Sequence, residues 1–381
     1  MKKHVSLLFA AALMTGILLT GCSGSKPAEA TPAQTSGNVP EATQETEQET
    51  IAPFTEADSS AETKKETAQA HPGAPGSAAA ADQNIQVRIG SLKGPTSMGL
   101  VQLMDLAAKK ESVCNYDFTM VTAADELLGK MVNGDLDIAL VPANVASVLY
   151  NKTEGGVAVI DINTLGVLDI VASDDSISSI ADLKGKTLYL TGKGTTPDYV
   201  IQYLMKESGL QDGDVTLEYK SEAAEVAAVL KEQSDAIGLL PQPFVTAACA
   251  QNPNLKIVLD LTKEWDKLQG EGGSRMVTGV TVVRREFLDK NKELVDAFLT
   301  EHAASAAYTA SNPNETAELI AAAGIIEKAP VAKKALPYCN IVCLTGSEMQ
   351  TALSGYLQVL ADQDMKSVGG KLPADDFYYL P

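Results

Sequence analysis

The chain has 381 residues and a formal net charge of −19, with 49 acidic side chains against 30 basic ones, three histidines and five cysteines. So acidic a protein is a poor nucleic-acid binder, because that affinity comes from basic side chains replacing counterions on phosphate. Two of the histidines, His4 and His71, lie near the N-terminus, which leaves His302 alone in the body. Multi-histidine metal sites are thereby excluded, and any Ser-His-Asp or Cys-His chemistry would rest on one residue.

The chain opens on Lys2 and Lys3, followed by the apolar run 5–19 and the small-residue ending Leu19-Thr20-Gly21-Cys22. A basic start, an apolar core and small residues before a cut describe a secretory signal. The run is shorter than the roughly 20 residues that a membrane-spanning helix needs. Cys22 directly after the cut resembles the lipobox of bacterial lipoproteins. The resemblance implies that residues 1–21 are removed as a signal peptide. Cys22 then becomes a lipidated N-terminus and holds the protein on the outer face of the cell membrane. Additional acyl chains make such an anchor stable, since each buried methylene adds about 0.8 kcal/mol.

Residues 22–84 form the anchor and a linker. After Cys22 the segment is built from Ala, Glu, Thr, Pro, Gln, Ser and Gly, and its large apolar residues are Val39, Ile51 and Phe54. It cannot bury enough apolar surface to offset its ordering entropy, so disorder is expected. Its coil span is roughly 45 Å. Ten acidic and three basic side chains give residues 23–84 a charge of −7, which with Lys2 and Lys3 leaves −14 for residues 85–381. That acidity suits solubility.

Residues 85–381 are numerous enough for two cores. Short β-rich runs alternate with amphipathic helices. Strands are predicted at 85–90, 117–121, 137–141, 157–162 and 167–172, with helices at 96–109, 124–133 and from 143 to 150. The pattern restarts with strands at 187–190, 215–219, 236–240, 255–261 and 279–283. Helices at 197–208, 222–232 and 243–251 lie between them, and residues 290–366 read as mostly helical. This alternation argues for an α/β class with parallel sheet.

Open α/β sheets bind ligands at the carboxyl ends of strands, where loops lead into helices. Three such loops stand out. Lys93-Gly94-Pro95-Thr96-Ser97 combines a proline suited to the first helical position with residues that cap helices. Its N–H groups and the helix dipole favour an anion or a polar oxygen. Pro142-Ala143-Asn144 ends the third strand, and Asn144 is a candidate cap or ligand amide. Gly192-Lys193-Gly194-Thr195-Thr196-Pro197 allows close backbone approach, with Thr196-Pro197 as cap and first turn. A phosphate-cradling P-loop is not supported, because Gly194 follows Lys193 and the spacing to an earlier glycine fails.

His302 falls in a predicted amphipathic helix and reads as a surface or half-buried residue rather than a catalytic one. Cys114, Cys249, Cys339 and Cys343 form no CxxC pair. Spacing does not decide between buried free thiols, the default reading, and a disulfide such as Cys339–Cys343. No metal site is expected. The single tryptophan, Trp265, and the few aromatics disfavour a sugar pocket.

Asp182-Leu183-Lys184-Gly185-Lys186 before a strand, Gly134-Asp135-Leu136-Asp137-Ile138-Ala139 into a strand, and Leu240-Pro241-Gln242-Pro243 occur in order, with the ending Gly369-Gly370-Lys371-Leu372-Pro373. Together with the lipobox they resemble the solute-binding lipoproteins of ABC importers, of the nitrate/sulfonate/taurine type. The resemblance covers residues 85–381. It implies an α/β, two-lobed periplasmic-binding-protein-like (type II) fold with a hinge. Lobe I would comprise 85–173 and the return segment 279–381, and lobe II 174–278. It further implies a monomer that captures a small polar or anionic solute and delivers it to a membrane permease, with no catalytic residue, cofactor or metal. Carried over by position, the ligand-binding residues are Gly94, Pro95, Thr96, Ser97, Met98, Pro142, Asn144, Gly194, Thr195, Thr196, Pro197, Pro241, Gln242 and Thr278. Lys93, Lys193 and Arg275 are candidate charge partners. The alternatives are a ligand-sensing surface receptor and an enzyme related to the thiamin-pyrimidine synthases, which depend on a Cys-rich motif absent here.

Overall fold

Two β-sheets organise residues 84–381, which are those described by the computed structural model; the signal segment, Cys22 and the linker up to residue 83 lie outside the described residues. The first half runs β1 (Gln86–Leu92), α1 (Pro95–Met98), α2 (Val101–Lys109), β2 (Asn115–Val121), α3 (Ala124–Asn133), β3 (Ile138–Pro142), α4 (Ala143–Lys152) and β4 (Val157–Leu165). It continues through β5 (Leu168–Ala172), β6 (Thr187–Leu190), α5 (Thr196–Glu207), β7 (Thr216–Tyr219), α6 (Ala223–Glu232), β8 (Ile237–Pro241), α7 (Phe244–Gln251), β9 (Lys256–Asp260) and α8 (Leu261–Gln269). The last part holds β10 (Val277–Arg284), α9 (Arg285–Lys290), α10 (Lys292–Ser311), α11 (Pro313–Ala322), α12 (Ala329–Ala335), β11 (Ile341–Leu344) and α13 (Gly346–Gln363).

The first sheet has the order β11-β4-β10-β3-β1-β2 and the second β7-β6-β8-β5-β9. In the first, β1 lies parallel between β2 and β3, and β10 runs antiparallel beside β3. In the second, β6 lies parallel between β7 and β8, and β5 runs antiparallel beside β8. The two sheets therefore repeat one plan, three parallel strands followed by an antiparallel one, and each forms the centre of a lobe.

The strand Leu168–Ala172, which the sequence reading placed in the first lobe, belongs to the second sheet between β8 and β9. The chain crosses between the sheets in the two residues after β4, and again before β10. Gly166 makes the first crossing tight: a Cβ there would lie 2.2 Å from Thr262 Oγ1 and 2.6 Å from Met276 Cε. An apolar strand carries no mark of the sheet it joins, so a short crossing is invisible in the pattern.

Packing follows the apolar periodicity. On α3, Leu127 and Met131 face inward one turn apart and lie over β1. A Cβ on Gly90 would come 2.4 Å from Leu136 Cδ1 and 2.6 Å from Leu127 Cδ2, so glycine is what lets this helix seat. The largest apolar cluster runs through both lobes, joining Val141, Val159 and Val280 to Ile170, Leu204 and Trp265. Helix α13 packs against β4, β10 and α4 on one side and α5 on the other. Trp265, on α8, is buried between Tyr203 of α5 and Tyr356 of α13, with ring centroids 5.0 and 5.4 Å away. Its Nε1 donates to Ser274 O at 2.8 Å.

Candidate functional site

Between the lobes lies an open cleft of about 1070 Å³. Its walls come from the carboxyl ends of parallel strands in both sheets. From the first lobe it takes Leu92–Thr96 after β1, Thr122–Asp125 after β2 and Pro142 at the end of β3. From the second it takes Thr191–Lys193 and Thr195–Pro197 after β6, Ser221–Ala224 after β7, and Pro241 and Phe244 around the end of β8. Six helices, α1, α3, α4, α5, α6 and α7, begin at this cleft. None of these N-termini is closed by its own cap side chain. The amino ends of six helices thus converge on one volume, although at α7 the Thr246 N–H is taken by Gln242 Oε1. Uncapped starts also occur away from the cleft, as at α10 and α11; the convergence is what distinguishes the site.

The charge lining the cleft is balanced. Lys93, Lys193, Lys231 and Lys328 face Asp125, Glu222, Glu232 and Glu327 around the walls and rim. Lys193 Nζ also lies 5.2 Å from the centroid of the Tyr219 ring, a cation–π distance. The floor is mostly Leu, Pro, Ala and Thr, with Phe244 as the aromatic surface among the described lining residues.

Of the residues singled out from the sequence, Gly94, Pro95, Thr96, Pro142, Thr195, Thr196, Pro197, Pro241 and Thr278 line the cleft, as do Lys93 and Lys193. The others do not. Ser97 is buried, its Oγ 2.5 Å from Leu92 O and 2.7 Å from Ser91 Oγ, so it holds the loop together. Met98 packs in the apolar cluster beneath α11 and α12. Asn144 is fully buried and joins the lobes, donating from Nδ2 to Gly194 O and Ser367 O, each at 3.2 Å. It is the second residue of α4 and does not cap it. Gly194 donates its N–H to Asp198 Oδ2 at 2.7 Å. Gln242 is buried, donates to Asp169 Oδ2 at 3.3 Å, and accepts from Thr246 Oγ1 at 2.9 Å. Arg275 pairs with Glu348 at 3.2 Å on the surface and is absent from the cleft lining. Helix α5 starts one residue earlier than expected, with Thr195 rather than Thr196 at the cap position.

Several lining residues have no counterpart in the sequence reading. Thr122–Asp125 and Ser221–Ala224 follow β2 and β7, which end at the same edge as β1 and β6. These loops lack the Gly-Pro signature, but strand order would have pointed to them. Gly324–Lys328 and Val331, from the helical tail, close one side of the cleft. Nothing in their local sequence marks them.

His302 is not half-buried but fully enclosed, with Nδ1 3.1 Å from Asp161 Oδ2, away from the cleft. Cys114, Cys249, Cys339 and Cys343 are free thiols. Burial pushes the Cys339 thiol up to about 12, so it is a protonated core residue, donating to Ala335 O at 3.2 Å.

Comparison with known proteins agrees with this architecture. The NMT1/THI5-like family model matches residues 155–316. A Brucella abortus protein described as a binding protein is 23% identical over 237 residues, covering 60% of this chain and 70% of its own length. An ABC transporter structure from Parabacteroides distasonis superposes with a TM-score of 0.62 and 23% identity, covering 77% of this chain and 98% of the other. The periplasmic aliphatic sulphonate binding protein SsuA from Escherichia coli gives a TM-score of 0.62 at 17% identity, covering 78% and 92%. The body of this chain thus has the two-lobed α/β fold of the periplasmic binding proteins, and its central segment resembles the NMT1/THI5-like family.

Proposed function

We propose that the protein is an extracytoplasmic solute-binding lipoprotein of an ABC importer. It captures a small polar or anionic solute between its lobes and hands it to the permease. The observation that carries this reading is the convergence of six strand ends, three from each sheet, on one cleft. Such an arrangement offers N–H groups and hydroxyls from both walls, so a ligand is held only when the two lobes meet around it. Hinge closure is then driven by the ligand's contacts with the second wall. The likeness to a protein named for binding aliphatic sulphonates makes sulfonates the first solutes to test. His302 lies outside the cleft, which favours binding over histidine-based catalysis.

A thermal-shift panel of sulfonates, carboxylates, amines and thiamin-like pyrimidines tests this. A true ligand at a hundred times its Kd adds about 2.7 kcal/mol of stability without being turned over. A flat response across all four classes counts against the reading. The lipid anchor is tested separately. Cys22→Ala moves the protein from the membrane fraction to the soluble one and leaves solute binding intact. Loss of binding in that variant would break the division into anchor, linker and binder.

A further inference from the structure

A second polar site lies behind the first sheet, away from the cleft. Asp161 on β4, His302 on α10 and Cys343 on β11 bring a carboxylate oxygen, an imidazole nitrogen and a sulfur within 4.8 Å of one another. Asp161 and His302 are both 0% exposed, and Cys343 is half-buried on the edge strand. None of the three lines the cleft.

The surroundings are built for polarity. Thr281 Oγ1 donates to Asp161 Oδ1 at 2.8 Å, and Asn163 Nδ2 donates to Thr281 Oγ1 at 3.2 Å. Asp161 Oδ2 faces His302 Nδ1 at 3.1 Å. The other ring nitrogen, Nε2, is buried with no hydrogen-bond partner. Nε2 lies on the Gly99 side of the ring and Nδ1 faces the carboxylate, so Nδ1 is the nitrogen this buried cluster of carboxylate, imidazole and thiol offers to a cation.

We propose that Asp161, His302 and Cys343 form a binding site for one divalent transition-metal ion of the zinc class. Mixed oxygen, nitrogen and sulfur donors suit zinc or cobalt, whereas magnesium and calcium select oxygen alone. Zinc bonds of about 2.0–2.3 Å place tetrahedral ligand atoms roughly 3.3–3.8 Å apart. The Asp161–His302 separation of 3.1 Å is already close to that spacing. From the 4.8 Å limit, the remaining separations need to shrink by about 1 Å, within reach of side-chain torsions. Thr281 orients the carboxylate, the role outer partners play around metal ligands. Three protein ligands leave a fourth position for water on the half-exposed Cys343 side. Metal binding displaces the Cys343 thiol proton to solvent, with the sulfur's electron pair forming the new bond. Burial and the Asp161 charge both raise the metal-free thiol, which disfavours a nucleophilic role for it.

Cobalt(II) added to the full chain provides the test, read by the near-ultraviolet thiolate-to-cobalt charge-transfer band. One equivalent is expected to produce the band, and zinc(II) to abolish it by competition. Among single serine replacements of Cys22, Cys114, Cys249, Cys339 and Cys343, only Cys343→Ser should lose it. Asp161→Asn should keep the band and weaken binding at least tenfold. No band in the unmutated chain, or one that survives Cys343→Ser or depends on another cysteine, overturns the proposal. A measurement without substitution guards against misfolded variants. Zinc(II) should slow alkylation of Cys343 in the unmutated chain, read by peptide mass spectrometry, while leaving Cys249 unaffected. Equal rates with and without zinc overturn it as well.

Discussion

Two buried aspartates show how much a single carboxylate's surroundings decide. Asp137 is 2% exposed, and burial alone would raise its pKa. Hydrogen bonds outweigh that burial: Arg88 donates from its backbone N at 3.0 Å and from Nη2 at 2.6 Å, and Arg284 Nη2 at 2.7 Å. The carboxyl is held below its ordinary range. Its contribution is complete above the unfolded value of about 3.9 and is lost as pH falls through the lower folded value. Asp137→Asn is expected to cost about 2–3 kcal/mol in urea unfolding at pH 7, below the usual 3–5 for a broken buried pair because both arginines keep some solvent contact. Asp169 behaves oppositely. Burial and the neighbouring Asp260 charge push it up to about 7, against a donor from Gln242. The folded state then keeps a proton that the unfolded chain releases, so stability falls as pH rises from about 4 to about 7. Asp169→Asn should flatten that fall, read as melting temperature against pH.

At the level of elements, the starts of α3 and α6 were legible at 124 and 222 without a glycine or proline, but a loop was legible as a cleft wall only where those residues marked it. The loops at 93–97 and 192–197 carry such marks, whereas Thr122-Ala123 and Ser221-Glu222 reach the same cleft without them. Helix α8 escaped notice because its cap, Asp260, ends an apolar strand and accepts from Thr262 N and Lys263 N. The expected helix at 96–109 is divided at Gly99, where a Cβ would lie 3.1 Å from Ile341 and 3.6 Å from His302 Nε2. Motifs that carried the family resemblance turn out to be stitching. Asp182 accepts from the N–H groups of Ser178 and Ser179, and Asp137 anchors two arginines. Asn144 has a comparable task between elements, fastening the start of α4 to the loop before α5 and to Ser367. Asn144→Ala removes both donors and leaves the Gly194 and Ser367 carbonyls without them. The expected loss is about 1–3 kcal/mol in chemical unfolding. A variant as stable as the parent would mean that water replaces the amide.

Over the whole molecule, alternation of strand and helix sufficed to read an α/β body, because each half-buried element shows its own period. Which strands share a sheet depends on pairing across long separations, so β5 was assigned to the wrong lobe. The finished fold has two crossings between its sheets and an open cleft lined in part by Leu168 and Thr278, which follow them. An apolar cluster continuous through both lobes lies behind the cleft, spanned by α13. Movement that narrows the cleft is expected to repack that seam, where Trp265 of α8 meets Tyr356 of α13. The chain contains one tryptophan. Its indole is shielded from water and packed between two tyrosine rings, so its emission depends on their placement. The protein therefore carries its own optical gauge of lobe closure. A solute that shuts the cleft should change the tryptophan fluorescence of the unlabelled protein in a saturable way, while Trp265→Phe binds the same solute in the dark. Saturating solute with no spectral change would place the pivot somewhere other than the α8–α13 seam.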